Sequence, residues 1–411
     1  MTYYIIIAFC LIILLAYFFD ITSKHTKIPG VLMLIITGIA LHYFTRYYGL
    51  NIPSYINRML PVMGTLGLIL IVLEASLDLN LSREKSSIVA ASLSSAILPF
   101  FMFVGLLTIF MSYYLDYDIK TSIINAIPIA VISSAVAIPS AAGLSDTDRE
   151  FVTYESSLSD IMGILAFDFI LLSSGSLASG VFRFFAELIL TFFSSIILSA
   201  FLAYMLHKIN HHVKYVIIMT VIVLVYALTK LIHLPSLLVV LIFGLVMNNN
   251  LIFKNKYSDK IISFETFNSE LNSFKNITAE LNFIVRSFFF LLFGFFTSLS
   301  DLLSIDNLII ALIIATLIFI LRALYFKMVL RFPLNPLFYF APRGLITILL
   351  FLSIPGERFL PFLNIGVVTQ IIFITILMMT FGNMIFEKVD ELVVPGSKMK
   401  RDQKQTDTVR E

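Results

Sequence analysis

Apolar runs of roughly 17 to 30 residues, parted by short polar or proline-marked breaks, follow one another along almost the whole chain. About 20 such residues, rising about 1.5 Å each, cross the hydrocarbon core of a bilayer. The pattern predicts about thirteen transmembrane helices, at approximately residues 3–19, 28–48, 59–77, 87–114, 121–144, 151–174, 179–207, 214–231, 235–253, 276–300, 306–331, 336–355 and 361–387. The expected fold class is an all-α polytopic membrane protein, with residues 1–390 forming the transmembrane unit and no soluble domain. The longest linker, Lys254 to Lys275, mixes polar and apolar residues, which predicts a cytoplasmic helix lying along the interface and joining two halves. Residues 391–411 are charged and nearly devoid of large apolar side chains, the composition of a disordered tail.

Composition sharpens this reading. Apolar residues make up 59% of the chain and charged residues 13%, with a mean hydropathy of +0.96. A soluble chain is about a quarter charged, so the apolar surface here is expected to face lipid. The net charge of +2 gives no case for a nucleic-acid partner. A single cysteine, Cys10, excludes a disulfide framework or a thiolate metal site within the chain. The first run is followed by Asp20 and a polar turn rather than a small-residue cleavage site, so it reads as a retained helix and not a signal peptide.

Lysine and arginine fall unevenly on the two sides. Loops after the even-numbered spans hold Arg46, Arg58, Lys120, Lys230 and Arg358, whereas eighteen others lie in the loops after odd-numbered spans and in the tail. The positive-inside rule then predicts an outside N-terminus and a cytoplasmic C-terminus.

Charges within the spans are costly at mid-bilayer and each calls for a reason. They are Glu74, Glu155, Asp160, Asp168, Arg183, Glu187, Glu280, Arg286, Arg322, Lys327 and Arg343. Asp160 lies about nine residues, or roughly 14 Å, into the sixth span, and Arg322 about nine residues from the inner end of the eleventh, so both are near the midplane. Glu155 is about one turn shallower than Asp160, within reach of a long arginine if the two helices touch; a buried ion pair holding two helices together is an equal reading. Asp160 has no obvious basic partner at its depth. A carboxyl with little water around it can hold a proton or, once ionised, a dehydrated cation, which is the chemistry of an exchanger.

The fifth span carries Pro128, Pro139, Ser133 and Ser134, and the twelfth carries Pro342, Arg343, Gly344 and Thr347. Proline and glycine in mid-span free backbone groups that must be satisfied by protein or a wet cavity. Both spans therefore read as broken near the midplane, at corresponding places in two halves, the pattern of inverted repeats around a transport site.

Several segments resemble the monovalent cation/proton antiporter superfamily, the sodium/proton exchanger family. Glu155 with the SSLSD segment that ends at Asp160 resembles its Glu-Ser-Leu-x-Asn-Asp signature, and PRGLITILL resembles its arginine-glycine helix. FFFLLFGFFTSLSDLL, KIPGVLMLIITGIALHY and LGLILIVLEASLDL are similar to further helices of the family. The resemblance implies that Asp160 is the shared cation and proton site, with Ser133, Ser134, Ser156 and Ser159 around it. It further implies that Glu155 and Arg322 form a structural ion pair, that Arg343 neutralises the partial charges of the broken helices, and that residues of about 87–174 and 306–387 form a core moving against a dimerisation scaffold. Two departures stand out. Ser159 occupies the place of an Asn or Asp, and Ser133 and Ser134 stand where many members have Thr-Asp. One titrating carboxylate implies electroneutral exchange of one Na+, with K+ or Li+ as alternatives, per H+. The resemblance also implies a homodimer in a bacterial inner membrane, with no cofactor.

The remaining polar residues carry less. Asp168 lies two turns beyond Asp160, rotated by roughly 80°, and reads equally as an outward access residue or a satisfied packing group. Glu74 reads as a snorkelling interfacial acid, Arg183 with Glu187 as a helical i, i+4 pair, and Arg286 and Glu280 as paired with each other or across helices. No histidine shows metal-ligand spacing with a carboxylate, and a cytoplasmic His211–His212 pair reads as solvated. A sodium-coupled symporter of an organic solute or a non-transporting sensor on the same scaffold are the alternative functions. An intramembrane aspartyl protease is disfavoured because Asp160 and Asp168 share one helix.

Overall fold

A computed structural model describes residues 2–49, 56–79, 85–172, 177–208, 213–232, 234–249, 264–331 and 334–385. The tail, most of the linker after residue 249 and the His211–His212 pair lie outside these residues, as does the side chain of Arg183. Among the described residues the fold is helical throughout, without a strand. The predicted spans appear in order as α1 (Thr2–Thr26), α2 (Gly30–Tyr47), α3 (Ile56–Asp78), α4 (Ser86–Tyr114), then α5 (Ile119–Ala130) and α6 (Ser134–Ser140) for the fifth run, followed by α7 (Asp146–Leu172), α8 (Leu177–Lys208), α9 (Lys214–Leu231) and α10 (Ser236–Asn248). The tenth run is α11 (Phe264–Phe296), and a single-turn α12 (Leu299–Leu302) leads into α13 (Ile305–Tyr325). The twelfth run is a turn at Leu337–Tyr339, an extended stretch and α14 (Leu345–Leu352), and α15 (Ile365–Ile385) closes the bundle.

Nine helices among the described residues are long and apolar enough to cross a membrane on their own. Three of the other four predicted spans fall short for physical reasons. α10 has 13 residues and α14 has 8, while α7 carries Asp146, Asp148, Arg149, Glu150, Glu155, Asp160 and Asp168 among its apolar positions. Such helices belong in the interior of a bundle, where neighbours replace lipid.

The linker differs from expectation. Where it is described, from Phe264, it is not a separate interfacial helix but the first turns of α11, which runs unbroken to Phe296. Phe267, Leu271, Phe274 and Thr278 are buried at helical spacing, so one apolar stripe continues from the linker into the span and keeps it a single helix.

Helix ends follow local chemistry. Asp118 caps α5 by accepting from the amide of Thr121 at 3.1 Å, and Ser304 caps α13 through the amide of Asn307 at 3.4 Å. Pro29 precedes α2, where its missing N–H costs nothing.

Two packing groups emerge. α11 lies along α2 and α3, and α10 packs between α3 and α8. A Cβ on Gly38 would sit 2.2 Å from the Leu291 carbonyl oxygen and one on Gly294 2.1 Å from that of Ile35, so only glycines permit the α2–α11 backbones to approach so closely. In the other group α4 packs on α5 and α7, and α13 on α4 and α15. The groups meet where α3 and α10 touch α7, and where α3 touches α6 and α14. Both helix breaks lie beside this junction.

Candidate functional site

The fifth span stops being helical at Val131 and resumes at Ser134. Pro128 cannot supply the amide that would bond one turn back, and β-branched Val131 and Ile132 favour extended backbone. Three of the amides released by the break are taken. Ile132 N donates to Ser159 Oγ at 2.9 Å, Ser133 N to the Pro342 carbonyl at 2.8 Å, and Ser134 N to Asp160 Oδ2 at 3.2 Å. The carbonyls released on the other side accept from Arg343, whose Nε reaches Ile129 O at 2.8 Å and whose Nη2 reaches Ala130 O at 3.1 Å. Buried backbone groups in a membrane need such partners.

The twelfth span is opened in the same way. Its extended stretch sends the Arg343 amide to Thr375 Oγ1 on α15 at 3.0 Å, and Arg343 Nη1 closes back on Ala341 O at 2.7 Å. Gly344, which begins the second half, lies against the fifth-span break, where a Cβ would sit 2.7 Å from Ser133 Oγ. One guanidinium thus holds the carbonyls of both breaks, at the negative end of α5.

Asp160 sits where these breaks cross and is only 2% exposed. Its Oδ2 accepts two bonds from Ser134, from the amide and from Oγ, while Oδ1 has no hydrogen-bond partner among the described residues. The hydroxyl of Ser133 is buried and equally unpartnered. The site therefore combines one carboxylate with a free oxygen, two serine hydroxyls and the first amide of a short helix. Ser159 is engaged by Ile132, and Ser156 donates to the Val152 carbonyl one turn back on its own helix at 2.7 Å.

Glu155 and Arg322 meet in a buried, two-pronged pair, with Nη1–Oε1 and Nη2–Oε2 both 2.8 Å. Ser95 on α4 donates to Glu155 Oε1, and Arg322 Nε and Nη2 also reach the Leu337 carbonyl at 3.1 and 2.8 Å. Both charges are thus fully paired, and the pair ties α7 to α13, to α4 and to the start of the opened twelfth span.

The sequence of residues 10–387 matches the protein family described as "Sodium/hydrogen exchanger, transmembrane". The chain belongs to this sodium/hydrogen exchanger family. As a member it is a multi-pass membrane protein of cation/proton antiport, and its architecture agrees with solved relatives. The sodium proton antiporter MjNhaP1 from Methanocaldococcus jannaschii, solved at pH 8, is 18% identical, with a TM-score of 0.68 over 93% of this chain and 95% of that one. An electron-microscopy structure of the same antiporter gives 17% identity and a TM-score of 0.64, covering 95% and 100% of the two chains. At this identity the likeness is one of fold. No curated protein sequence gives a significant match.

Other polar residues of this exchanger find partners that the sequence did not reveal. Asp168 is bonded to Lys230 on α9, Nζ to Oδ1 at 3.3 Å. Glu74 is not a snorkelling side chain: it accepts from Asn282 on α11, a buried residue across the helix contact. Arg286 donates through Nη1 to the Ala135 carbonyl at 3.2 Å, while Glu280 is exposed. At the surface, Glu150 pairs with Lys85 and holds its ammonium above the ordinary lysine range by accepting its hydrogen bond. Among the described residues no group of three or more His, Cys, Asp and Glu side chains could hold a metal ion.

Proposed function

We propose that this exchanger moves one Na+ against one H+ by alternating access around Asp160, without net charge transfer. The observation that carries the reading is the half-satisfied carboxylate. Asp160 is buried and fixed through Oδ2, while Oδ1 has no donor among the described residues. A proton on Oδ1, or a cation beside it, completes the site, and the two exclude one another. Ser133 Oγ, Ser134 Oγ and backbone oxygens are hard ligands suited to sodium; potassium and lithium offer the same chemistry with different fit. The second acid near the midplane, Glu155, is locked by Arg322, which leaves a single titrating carboxylate and supports a one-for-one cycle.

In this cycle Asp160 crosses when protonated or cation-bound, whereas the empty carboxylate stays on its side because an uncompensated charge in the bilayer interior is costly. α4–α7 with α13–α15 form the moving unit, and α1–α3 with α8–α11 the scaffold, through which two copies associate. The expected setting is a bacterial inner membrane, N-terminus outside. Beside the site, the cavity lined by Ser95, Phe103, Ser159, Arg322 and Arg343 has a volume of ≈ 20 Å³, room for water or a small ion but not for an organic solute.

The test is a pH-sensitive dye in proteoliposomes, with sodium, potassium and lithium added in turn to wild type and to Asp160→Asn. Proton movement driven by a cation and absent from the variant supports the proposal, with an apparent KM for the cation that rises as pH falls because both ions seek one carboxylate. Unaltered exchange in Asp160→Asn removes Asp160 from the site.

A further inference from the structure

Arg286 is a charged residue in the middle of α11 that the exchange chemistry leaves unused. Its Nη1 donates to the carbonyl of Ala135, the residue that follows Ser134, and Ser134 is the residue that holds Asp160. α11 packs along α2 and α3, whereas α6 packs on α7, so this bond runs from one packing group to the other. It reaches the other group within one residue of the ion site.

The surroundings suit a contact that is made and broken. Arg286 stands in a narrow cleft between the groups, lined by Asp20 and Ser23 on α1, Gly30 on α2 and Ala135 and Ser140 on α6. Asp20 lines the same cleft, and Glu74 on α3 is held by Asn282, one turn earlier than Arg286 on α11. The scaffold thus offers two carboxylates on the guanidinium's own side. It can release the Ala135 carbonyl without becoming an isolated cation, which a simple packing arginine could not do.

We infer that Arg286 is a positioning residue, a latch that fixes the α6 half-helix, and with it the Ser134 clamp on Asp160, against the scaffold in one of the two access states. The inference rests on the alternating-access reading above. When the latch is made, the unit carrying Asp160 is docked; when the unit moves, Arg286 turns to its scaffold carboxylates. Losing a charge-assisted hydrogen bond in one state alone shifts the balance of the two states on the order of tenfold.

The test uses the full chain with Cys10→Ser and Ser140→Cys, which places one thiol on the cleft face of α6. Labelling by a membrane-impermeant maleimide is compared for Arg286, Arg286→Met and Arg286→Lys. Loss of the latch is expected to speed labelling several-fold in Arg286→Met, with Arg286→Lys, which keeps the charge but not the forked head, between the two. In proteoliposomes the cation KM measured from the two faces is expected to move in opposite directions in Arg286→Met, because one access state gains population at the other's expense. A purely structural arginine would leave that ratio unchanged. Equal labelling rates in all three proteins overturn the latch. Labelling needs no transport, so a wild type inert to every cation refutes the exchange reading while labelling still decides the latch.

Discussion

The amide of Ser133 donates to the carbonyl of Pro342 at 2.8 Å, so the break in the fifth span is bonded directly to the break in the twelfth. Each break supplies what the other lacks, and the proposed ion site is built on that exchange of backbone groups. Gly344 makes the approach possible, because a Cβ there would lie 2.7 Å from Ser133 Oγ, 2.8 Å from Val136 Cγ2 and 3.0 Å from Ser133 Cβ.

Gly344→Ala is therefore expected to push the two breaks apart and abolish cation-dependent proton movement, while the protein still inserts and remains monodisperse in detergent. Its backbone is extended at φ −175, so the effect comes from the contact and not from conformational strain. Wild-type exchange rates in this variant would mean that the crossing tolerates a methyl group and is looser than these distances imply.

Ser134→Ala removes the hydroxyl that bonds Asp160 but keeps the amide at 3.2 Å. One hydrogen bond to a charged group is worth about 1.5–3 kcal/mol, and the cation can make up part of that loss. The expected result is a cation KM raised about tenfold with the maximal rate little changed, measured from initial rates of dye response. Ser133→Ala, whose hydroxyl has no partner among the described residues to lose, is expected to raise KM without lowering thermal stability.

Much of this was legible in the sequence because lipid imposes a strict code. Apolar runs gave the spans, and Pro128, Pro342 and Gly344 marked the breaks. Asp160 stood out as an acid with no base at its depth. What stayed hidden were partners supplied by distant helices. Ser95, one of three serines close together on α4, and Thr375, a single hydroxyl in an apolar run, are no different in pattern from Ser94, Thr369 or Thr380, each of which donates to a carbonyl of its own helix. Glu74 looked interfacial because Asn282, its partner, lies far along the chain. The start of α11 looked like a linker because Glu270, Asn272, Ser273 and Lys275 interrupt its apolar character, although Phe267, Leu271 and Phe274 all fall on the buried face.

The Glu155–Arg322 pair is 1% and 2% exposed, and removing either partner strands the other. Glu155→Gln and Arg322→Met are each expected to destabilise the protein by about 3–5 kcal/mol. The double variant is expected to be less destabilised than the sum of the two. Thermal unfolding in detergent measures this, and strictly additive losses would show that the two residues act independently.

Arg343→Lys tests whether charge alone suffices at the crossing. The guanidinium reaches Ile129 O, Ala130 O and Ala341 O through three different nitrogens, a spread that one ammonium cannot cover. Exchange is expected to fall at least tenfold even though the charge is kept. Full activity would make the charge, and not the fork, the essential property.

The last prediction concerns the link at the far end of α7. Asp168 and Lys230 join α7 to α9, with Nζ 3.3 Å from Oδ1, so the bond spans the two units that the proposed cycle moves apart. Asp168 is nearly buried while the Lys230 side chain is half exposed, which makes the lysine the partner able to leave into water. Asp168→Asn keeps the shape of the side chain but removes the charge attraction, and Lys230→Met removes it from the other side. Both are expected to change the exchange rate in the same direction by several-fold and to leave the cation site intact, since neither residue touches Asp160. The double variant should match either single one if they act only through each other. Loss of all activity in Asp168→Asn with normal activity in Lys230→Met would instead assign Asp168 a direct part in the ion pathway, as an access group between Asp160 and the outer surface.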